Sequence, residues 1–150
     1  MLEHGFLERY GPADTVAQVL AFKHADKGVP DLVVCESHQK LGAAIELMQR
    51  YGISQLPVVR KAPAETLSDV VGSLNERGLL DRVFRNPDAL SEEVAGAMGP
   101  PLQAADVGDR VEQVFGDLRE QSQAVVVARN GRPEAVLTRS DLLEYLAHRR

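Results

Sequence analysis

The property that most constrains this chain is an internal repeat, in which one order of short apolar segments occurs twice. Each copy carries apolar residues at positions i, i+3, i+4 and i+7, the spacing of one face of an α-helix. These positions are Leu41, Ala44, Ile45 and Met48 in the first copy and Val111, Val114, Phe115 and Leu118 in the second. Each copy alone has too little apolar surface for a stable core, so the repeat predicts two similar units packed together.

Strand-like segments surround each helix in the same order. A short apolar lead-in (32–34 and 102–104) precedes the helix, and two predicted strands come after it, at 55–59 and 69–73 in the first copy and at 123–127 and 134–138 in the second. A short helix ends each copy. Asn130-Gly131 predicts a tight turn between the last two strands. The expected fold is therefore α/β (α+β), with two β-α-β-β-α units related by a pseudo-two-fold axis.

Proline and glycine divide the chain at the repeat boundary. Residues 1–28 are expected to form an N-terminal linker and helix, 29–86 the first unit and 87–150 the second, together making one module. Within 13–23, Val16, Val19 and Leu20 share one face, which predicts a helix packed on the first unit.

Composition narrows the function classes. The 150 residues carry a net charge of −5, which argues against a nucleic-acid partner. No apolar run approaches the roughly 20 residues of a membrane span, and no signal segment is recognisable, so a cytoplasmic protein is expected. The single cysteine, Cys35, is expected to be a small buried side chain. The four histidines lack metal-ligand spacing and no catalytic motif occurs, so neither a metal site nor an enzyme is predicted.

The segment Val136-Leu-Thr-Arg-Ser-Asp-Leu-Leu143 places a hydroxyl and a carboxylate where a strand meets a helix. Free N–H groups at a helix start can bind a ligand's hydroxyls or phosphates, and Thr138 and Asp141 lie beside them. The same pair also fits a capping box, in which threonine and acid hydrogen-bond the helix start. The two interpretations are compatible.

Several motifs in this order resemble a tandem CBS-domain pair, a Bateman module. They are Tyr51-Gly-Ile-Ser-Gln-Leu-Pro-Val-Val59, Val70-Val-Gly-Ser73 and Thr138-Arg-Ser-Asp-Leu-Leu143. Pro30-Asp-Leu-Val33, Val71-Gly-Ser-Leu-Asn-Glu-Arg77, Leu80-Asp-Arg-Val-Phe84 and Met98-Gly-Pro-Pro-Leu102 are most similar to the C-terminal regulatory region of bacterial cystathionine β-synthases. The resemblance implies a regulatory fragment without a cofactor of its own, whose parent protein carries a pyridoxal-phosphate-dependent catalytic domain, and a homodimer of such modules.

The resemblance also implies a cleft for an adenosyl ligand such as S-adenosylmethionine, AMP or ATP. Thr138 and Asp141 are expected to bind ribose or phosphate, Gln55 the adenine edge or an amino-acid tail, and Arg139 a phosphate. The expected apolar walls are Leu32, Val33, Ile53, Leu56, Pro57 and Val136. Because few basic residues lie nearby, S-adenosylmethionine is favoured over a nucleotide.

The two copies differ at this turn. Alignment of 72–80 with 135–143 places Asn75 opposite Thr138 and Gly78 opposite Asp141. Glycine offers no acceptor for a ribose diol, so one competent cleft is expected. The leading hypothesis is a ligand-sensing regulatory module. An adenine-nucleotide energy sensor and a ligand-free structural dimerisation module are the alternatives.

Overall fold

A computed structural model describes residues 14–24, 30–120 and 124–148. The helices are α1 Val16–His24, α2 Leu41–Tyr51, α3 Glu76–Arg85, α4 Val111–Glu120 and α5 Arg139–His148. The strands are β1 Cys35–Glu36, β2 Gln55–Val59, β3 Val70–Asn75, β4 Gln103–Asp106, β5 Ala124–Arg129 and β6 Arg132–Thr138. Short 3-10 helices cover Leu67–Asp69, Pro87–Ser91 and Val94–Gly96. Most of the predicted N-terminal linker, and Gln123 at the predicted start of β5, lie outside the described residues.

The strands form two three-stranded sheets of identical topology. One has the order β1-β2-β3 and the other β4-β5-β6. In each sheet the first two strands are parallel and the last two antiparallel. A parallel pair needs a crossover, and α2 and α4 provide it. The predicted α/β fold with two β-α-β-β-α units is confirmed.

Each unit has its own apolar core. The helix stripes predicted from the sequence supply one side of it: Leu41, Ala44 and Met48 are buried in the first unit, and Val111, Val114 and Leu118 in the second. The i+4 position of each stripe is less buried, since Ile45 is half-buried and Phe115 is exposed. These two residues lie at the edge of their cores.

The N-terminal helix packs on the second unit, so its expected place on the first unit is wrong. Val16, Val19 and Leu20 share a core with Leu142 and Tyr145 of α5. The helix start is also fixed by backbone hydrogen bonds from the N–H groups of residues 16 and 17 to the carbonyls of 109 and 107, both 2.9 Å long. Sequence proximity to the first unit misled the prediction, because nearness along the chain does not decide which apolar surface a helix packs on.

The chain contacts the other unit just before each lead-in segment, at Asp31 and at Gly99. The N–H of Val136 in β6 donates to the carbonyl of Asp31 at 3.3 Å, and the N–H of Ser73 in β3 donates to that of Gly99 at 3.1 Å. Val136 and Ser73 are equivalent positions of the repeat. Strand β1 is consequently short, since 32–34 is not part of it. The contact at Asp31 brings residues of the first unit to the end of β6.

The tight turn between β5 and β6 and the turns from strand to helix are as predicted. Asn130 and Gly131 both have positive φ, 55° and 79°, and they join β5 to β6 as a two-residue turn. Helices α3 and α5 start directly after β3 and β6 without a loop. The last strand residue, Asn75 or Thr138, is therefore also the residue that precedes the helix.

Candidate functional site

The turn from β6 into α5 is a complete capping box. The N–H of Asp141 donates to Thr138 Oγ1 at 3.1 Å, and the N–H of Thr138 donates to Asp141 Oδ2 at 2.9 Å. Thr138 and Asp141 therefore cap the helix, as the capping-box interpretation predicts. It does not exclude ligand binding, because the N–H groups of Arg139 and Ser140 have no partner within the helix.

A lysine from the N-terminal helix completes this turn. Lys23 Nζ lies 2.8 Å from Asp141 Oδ2 and donates to the carbonyl oxygen of Val136 at 2.7 Å. The side chains of Lys23 and Asp141 are 24% and 16% exposed, so the pair is largely shielded from water. No local sequence signal identifies Lys23, because its partner lies 118 residues away and the contact requires α1 to pack on the second unit.

These groups face a cavity of about 520 Å³ between the two units. That volume lies within the usual range for small-molecule sites. The lining combines both units and the N-terminal helix: Lys23, Pro30, Asp31, Val33, Tyr51, Gly52, Ile53, Ser54, Gln55, Val136, Thr138, Arg139, Ser140 and Asp141. The cavity is therefore open to a ligand that bridges the units.

Seven of the ten residues predicted for the site line this cavity, namely Val33, Ile53, Gln55, Val136, Thr138, Arg139 and Asp141. Leu56 does not, because side chains alternate along β2 and it is buried in the core of the first unit. Pro57 is buried further along β2, opposite Ser73. Leu32 is half-buried, and its two neighbours line the cavity while it does not.

Sequence reasoning missed several polar residues of the lining. Tyr51 and Ser54 stand inside a motif quoted for the family resemblance, and so does Asp31, which directly precedes the lead-in segment 32–34. Their motifs were recognised, but side-chain roles were not assigned to them. Only the contact of Asp31 with β6 brings this residue to the cavity.

Arg139 lines the cavity, but Nε of its guanidinium group is bound outside the cavity. Arg139 Nε donates to the carbonyl oxygen of Leu118, near the end of α4, at 2.5 Å. A positive group suits the C-terminal end of a helix, where the carbonyls lack helical partners. In this arrangement Lys23 is the cation that meets the Thr138–Asp141 turn.

The equivalent turn of the first unit keeps the cap and lacks the carboxylate. The N–H of Gly78 donates to Asn75 Oδ1 at 2.8 Å. A cavity of about 410 Å³ lies beside this turn. Its charged side chains pair with each other, Arg82 with Glu92 at 2.9 Å and Arg85 with Asp81 at 3.0 Å. The residues equivalent to 53–55, at 121–123, are outside the described part of the chain.

Cys35 is buried at the start of β1, as expected. Burial raises the pKa of its thiol from 9.0 to about 12, so the thiol stays protonated at neutral pH and is a poor nucleophile. Within residues 14–24, 30–120 and 124–148, no cluster of three or more His, Cys, Asp or Glu side chains suits a metal ion. Nor does any helix there have the length and apolar character needed to cross a bilayer.

Known proteins with this arrangement carry CBS domains. The CBS-domain family model matches residues 27–85 and, again, residues 92–148. A CBS-domain containing protein from Agrobacterium tumefaciens has a similar structure, with a TM-score of 0.70, 20% identity, and coverage of 89% of this chain and 94% of that one. The CBS domain of a bacterial CNNM/CorC family Mg²⁺ transporter in complex with ATP is also similar, with a TM-score of 0.72, 20% identity, and coverage of 96% of this chain and 93% of that one. CBSX2 in complex with AMP has a TM-score of 0.67 and 20% identity, with coverage of 91% of this chain and 99% of that one.

Proposed function

The chain belongs to the CBS-domain family, as a tandem pair, and we propose that it is a regulatory module that binds one adenosyl compound in the cleft at Thr138 and Asp141. The observation that carries the proposal is the cavity between the two units, where a hydroxyl, a carboxylate and the start of α5 meet an apolar wall. In this assignment Asp141 accepts hydrogen bonds from the ribose hydroxyls, and the adenine ring lies against Val33, Ile53 and Val136.

One ligand per chain is expected from the difference between the two turns. An ionised carboxylate accepts charge-assisted hydrogen bonds from a ribose diol, each worth about 1.5–3 kcal/mol. Gly78 supplies no such acceptor, and the Asn75 oxygen is already bonded to the N–H of Gly78. The cleft at Asp141 is therefore the proposed binding site, and the cavity beside Gly78 is not.

Two ligand classes fit this site. S-adenosylmethionine is the ligand expected from the sequence, because few basic residues stand near Thr138 in the chain. Lys23 favours the second class, the adenine nucleotides, because it adds a cation that the sequence did not place there. Two proteins of similar fold have been solved with AMP and with ATP, which supports including both nucleotides among the candidates.

The proposed consequence of binding is control of a partner domain. Ligand in the cleft touches both units and α1, so it biases their arrangement to the extent that it binds one arrangement more tightly. A pyridoxal-phosphate-dependent catalytic domain of the cystathionine β-synthase type is the proposed target. A homodimer of modules is the proposed assembly, with the module acting as a cytoplasmic sensor.

Thermal unfolding with a ligand panel tests the proposal. The panel is S-adenosylmethionine, S-adenosylhomocysteine, AMP, ADP and ATP. A ligand present at about 100 times its Kd is expected to add roughly 2.7 kcal/mol to the free energy of unfolding. The Asp141→Asn variant keeps an oxygen for the cap and loses the charge, so most of the increase should disappear.

Asp88→Ala is the matched control, because Asp88 is an exposed aspartate on the 3-10 helix between the units. It should respond to ligand as the unchanged chain does. If no compound in the panel raises the unfolding temperature, the sensor hypothesis is rejected in favour of a ligand-free structural dimerisation module. If two ligands bind per chain, the assignment of a single cleft is overturned.

A further inference from the structure

We propose that Lys23 makes this cleft selective for nucleoside 5′-phosphates over uncharged nucleosides and cationic sulfonium compounds. The inference rests on the proposed function, since it names the ligand class of the same site. It places a residue of the N-terminal helix among the ligand-binding groups, although that helix precedes both repeats.

The hydrogen-bonding capacity of the lysine supports this role. An ammonium group has three N–H donors. Lys23 uses one on Asp141 Oδ2 and one on the carbonyl oxygen of Val136. Within the part of the chain that the structure describes, the third donor makes no hydrogen bond, so it can bind a ligand in the cavity that Lys23 lines.

The Asp141 carboxylate beside Lys23 also has an oxygen that can bind a ligand. Within the described residues, the hydrogen bonds of the Asp141 carboxylate, from Thr138 N–H and from Lys23, both end on Oδ2. Oδ1 can therefore accept a ribose hydroxyl while the ion pair persists. Ribose and phosphate then bind adjacent groups, as the geometry of a 5′-nucleotide requires.

Charge explains the selectivity. A phosphate that approaches the start of α5 meets the negative charge of Asp141, and Lys23 at 2.8 Å offsets that repulsion. Shielding from water strengthens these interactions relative to those of an exposed pair. A sulfonium group accepts no hydrogen bond from Lys23, and repulsion by Lys23 offsets its attraction to Asp141, while adenosine has no charged group to respond. Nε of Arg139 is held by the carbonyl oxygen of Leu118, whereas Lys23 is bonded directly to Asp141.

Isothermal titration with AMP, adenosine and S-adenosylmethionine tests the inference on four proteins: the unchanged chain, Lys23→Met, Lys23→Arg and Lys61→Met. The unchanged chain is expected to bind AMP more tightly than the other two compounds. In Lys23→Met the affinity for AMP should fall about tenfold or more, the size of one charge-assisted hydrogen bond. The affinity for adenosine should change less than about threefold.

The ratio of AMP affinity to adenosine affinity within one variant is the decisive quantity, because partial unfolding lowers both affinities alike. Lys23→Arg keeps the charge and should keep most of the ratio. Lys61 is an exposed lysine in the loop after β2, so Lys61→Met should leave the ratio unchanged.

An unaltered ratio in Lys23→Met would overturn the role of Lys23. Preference of the unchanged chain for S-adenosylmethionine would also overturn it, and would leave the proposed adenosyl cleft standing. Failure of the unchanged chain to bind any of these three compounds, or ADP, ATP or S-adenosylhomocysteine, would instead reject the proposed function itself.

Discussion

At the start of α5 the Thr138 hydroxyl accepts a hydrogen bond from the N–H of Asp141, and at the start of α3 the Asn75 side chain accepts one from the N–H of Gly78. Both residues cap a helix, and both stand at the same position of the repeat. The two turns differ in the residue three positions after the cap, which carries a carboxylate in one unit and is a glycine in the other. At the scale of single residues, both units therefore have the helix cap, but only the second unit has the carboxylate that can bind a ligand.

This division predicts different results for the two caps. Thr138→Ala and Asn75→Ala should each lower the free energy of unfolding by about 1 kcal/mol, the usual cost of losing a cap. Urea unfolding measures this loss. Only Thr138→Ala is expected also to weaken the binding of an adenosyl ligand, because only Thr138 lines the inter-unit cavity. Equal loss of ligand affinity in both variants would contradict the assignment of one cleft.

Among the elements, α1 contributes to the site although it lies outside both repeats. Its apolar face enters the core of the second unit, and Phe22 packs edge-on against Tyr145 with ring centroids 5.8 Å apart. This packing holds Lys23, in the last turn of the helix, beside Asp141. The N-terminal helix is thus both a part of the second core and a wall of the cleft.

Removing a core side chain from α1 tests that dual role. Leu20→Ala should lower the free energy of unfolding by about 2–5 kcal/mol, because Leu20 is fully buried. Ligand affinity should fall as well, since Lys23 loses its fixed position. Chemical denaturation and titration of the same sample measure the two effects. Glu46→Ala, at an exposed position of α2, should change stability by less than about 0.5 kcal/mol and leave binding intact.

At the scale of the whole molecule, both units expose apolar side chains on equivalent helices. Leu80 of α3 and Leu143 of α5 are repeat-equivalent and are 70% and 69% exposed, and Phe84 of α3 is 85% exposed. Residues directly before the two leucines, Leu79 and Leu142, are buried in the cores. Equivalent exposed apolar residues on both units are suited to pairing with a second copy, which presents the same two helices.

The proposed homodimer can be tested by sedimentation or light scattering. The unchanged chain is expected to be a dimer at micromolar concentration, and Leu143→Asp or Phe84→Asp a monomer, because each buries a charge in the interface. Ala95→Asp, at an exposed position between the units, should remain a dimer. A monomeric unchanged chain at about 100 times that concentration would reject the dimer.

Local patterns account for most of the features that the sequence predicted correctly. The helix stripes, the Asn130-Gly131 turn and the β2 strand at 55–59 were all identified from spacing or turn chemistry within a few residues. Strand ends were less accurate: β3 extends to Asn75 and β6 begins at Arg132, because pairing with a neighbouring strand continues beyond the apolar run. Seven of the ten predicted site residues line the cleft because the motif order placed them there.

The sequence by itself determined the repeat, the kind and order of the elements, and the absence of a carboxylate at Gly78, the position equivalent to Asp141. Each of these follows from short-range spacing or from residue identity. The tertiary structure alone decided that α1 packs on the second unit, that Asp31 and Gly99 hydrogen-bond the last strand of the other unit, and that Lys23 contacts Asp141, 118 residues further along the chain. Such contacts depend on which apolar faces bury each other, and a face that is apolar in the sequence does not specify its partner. The charge of the cleft, and with it the proposed class of ligand, depends on that choice of partner.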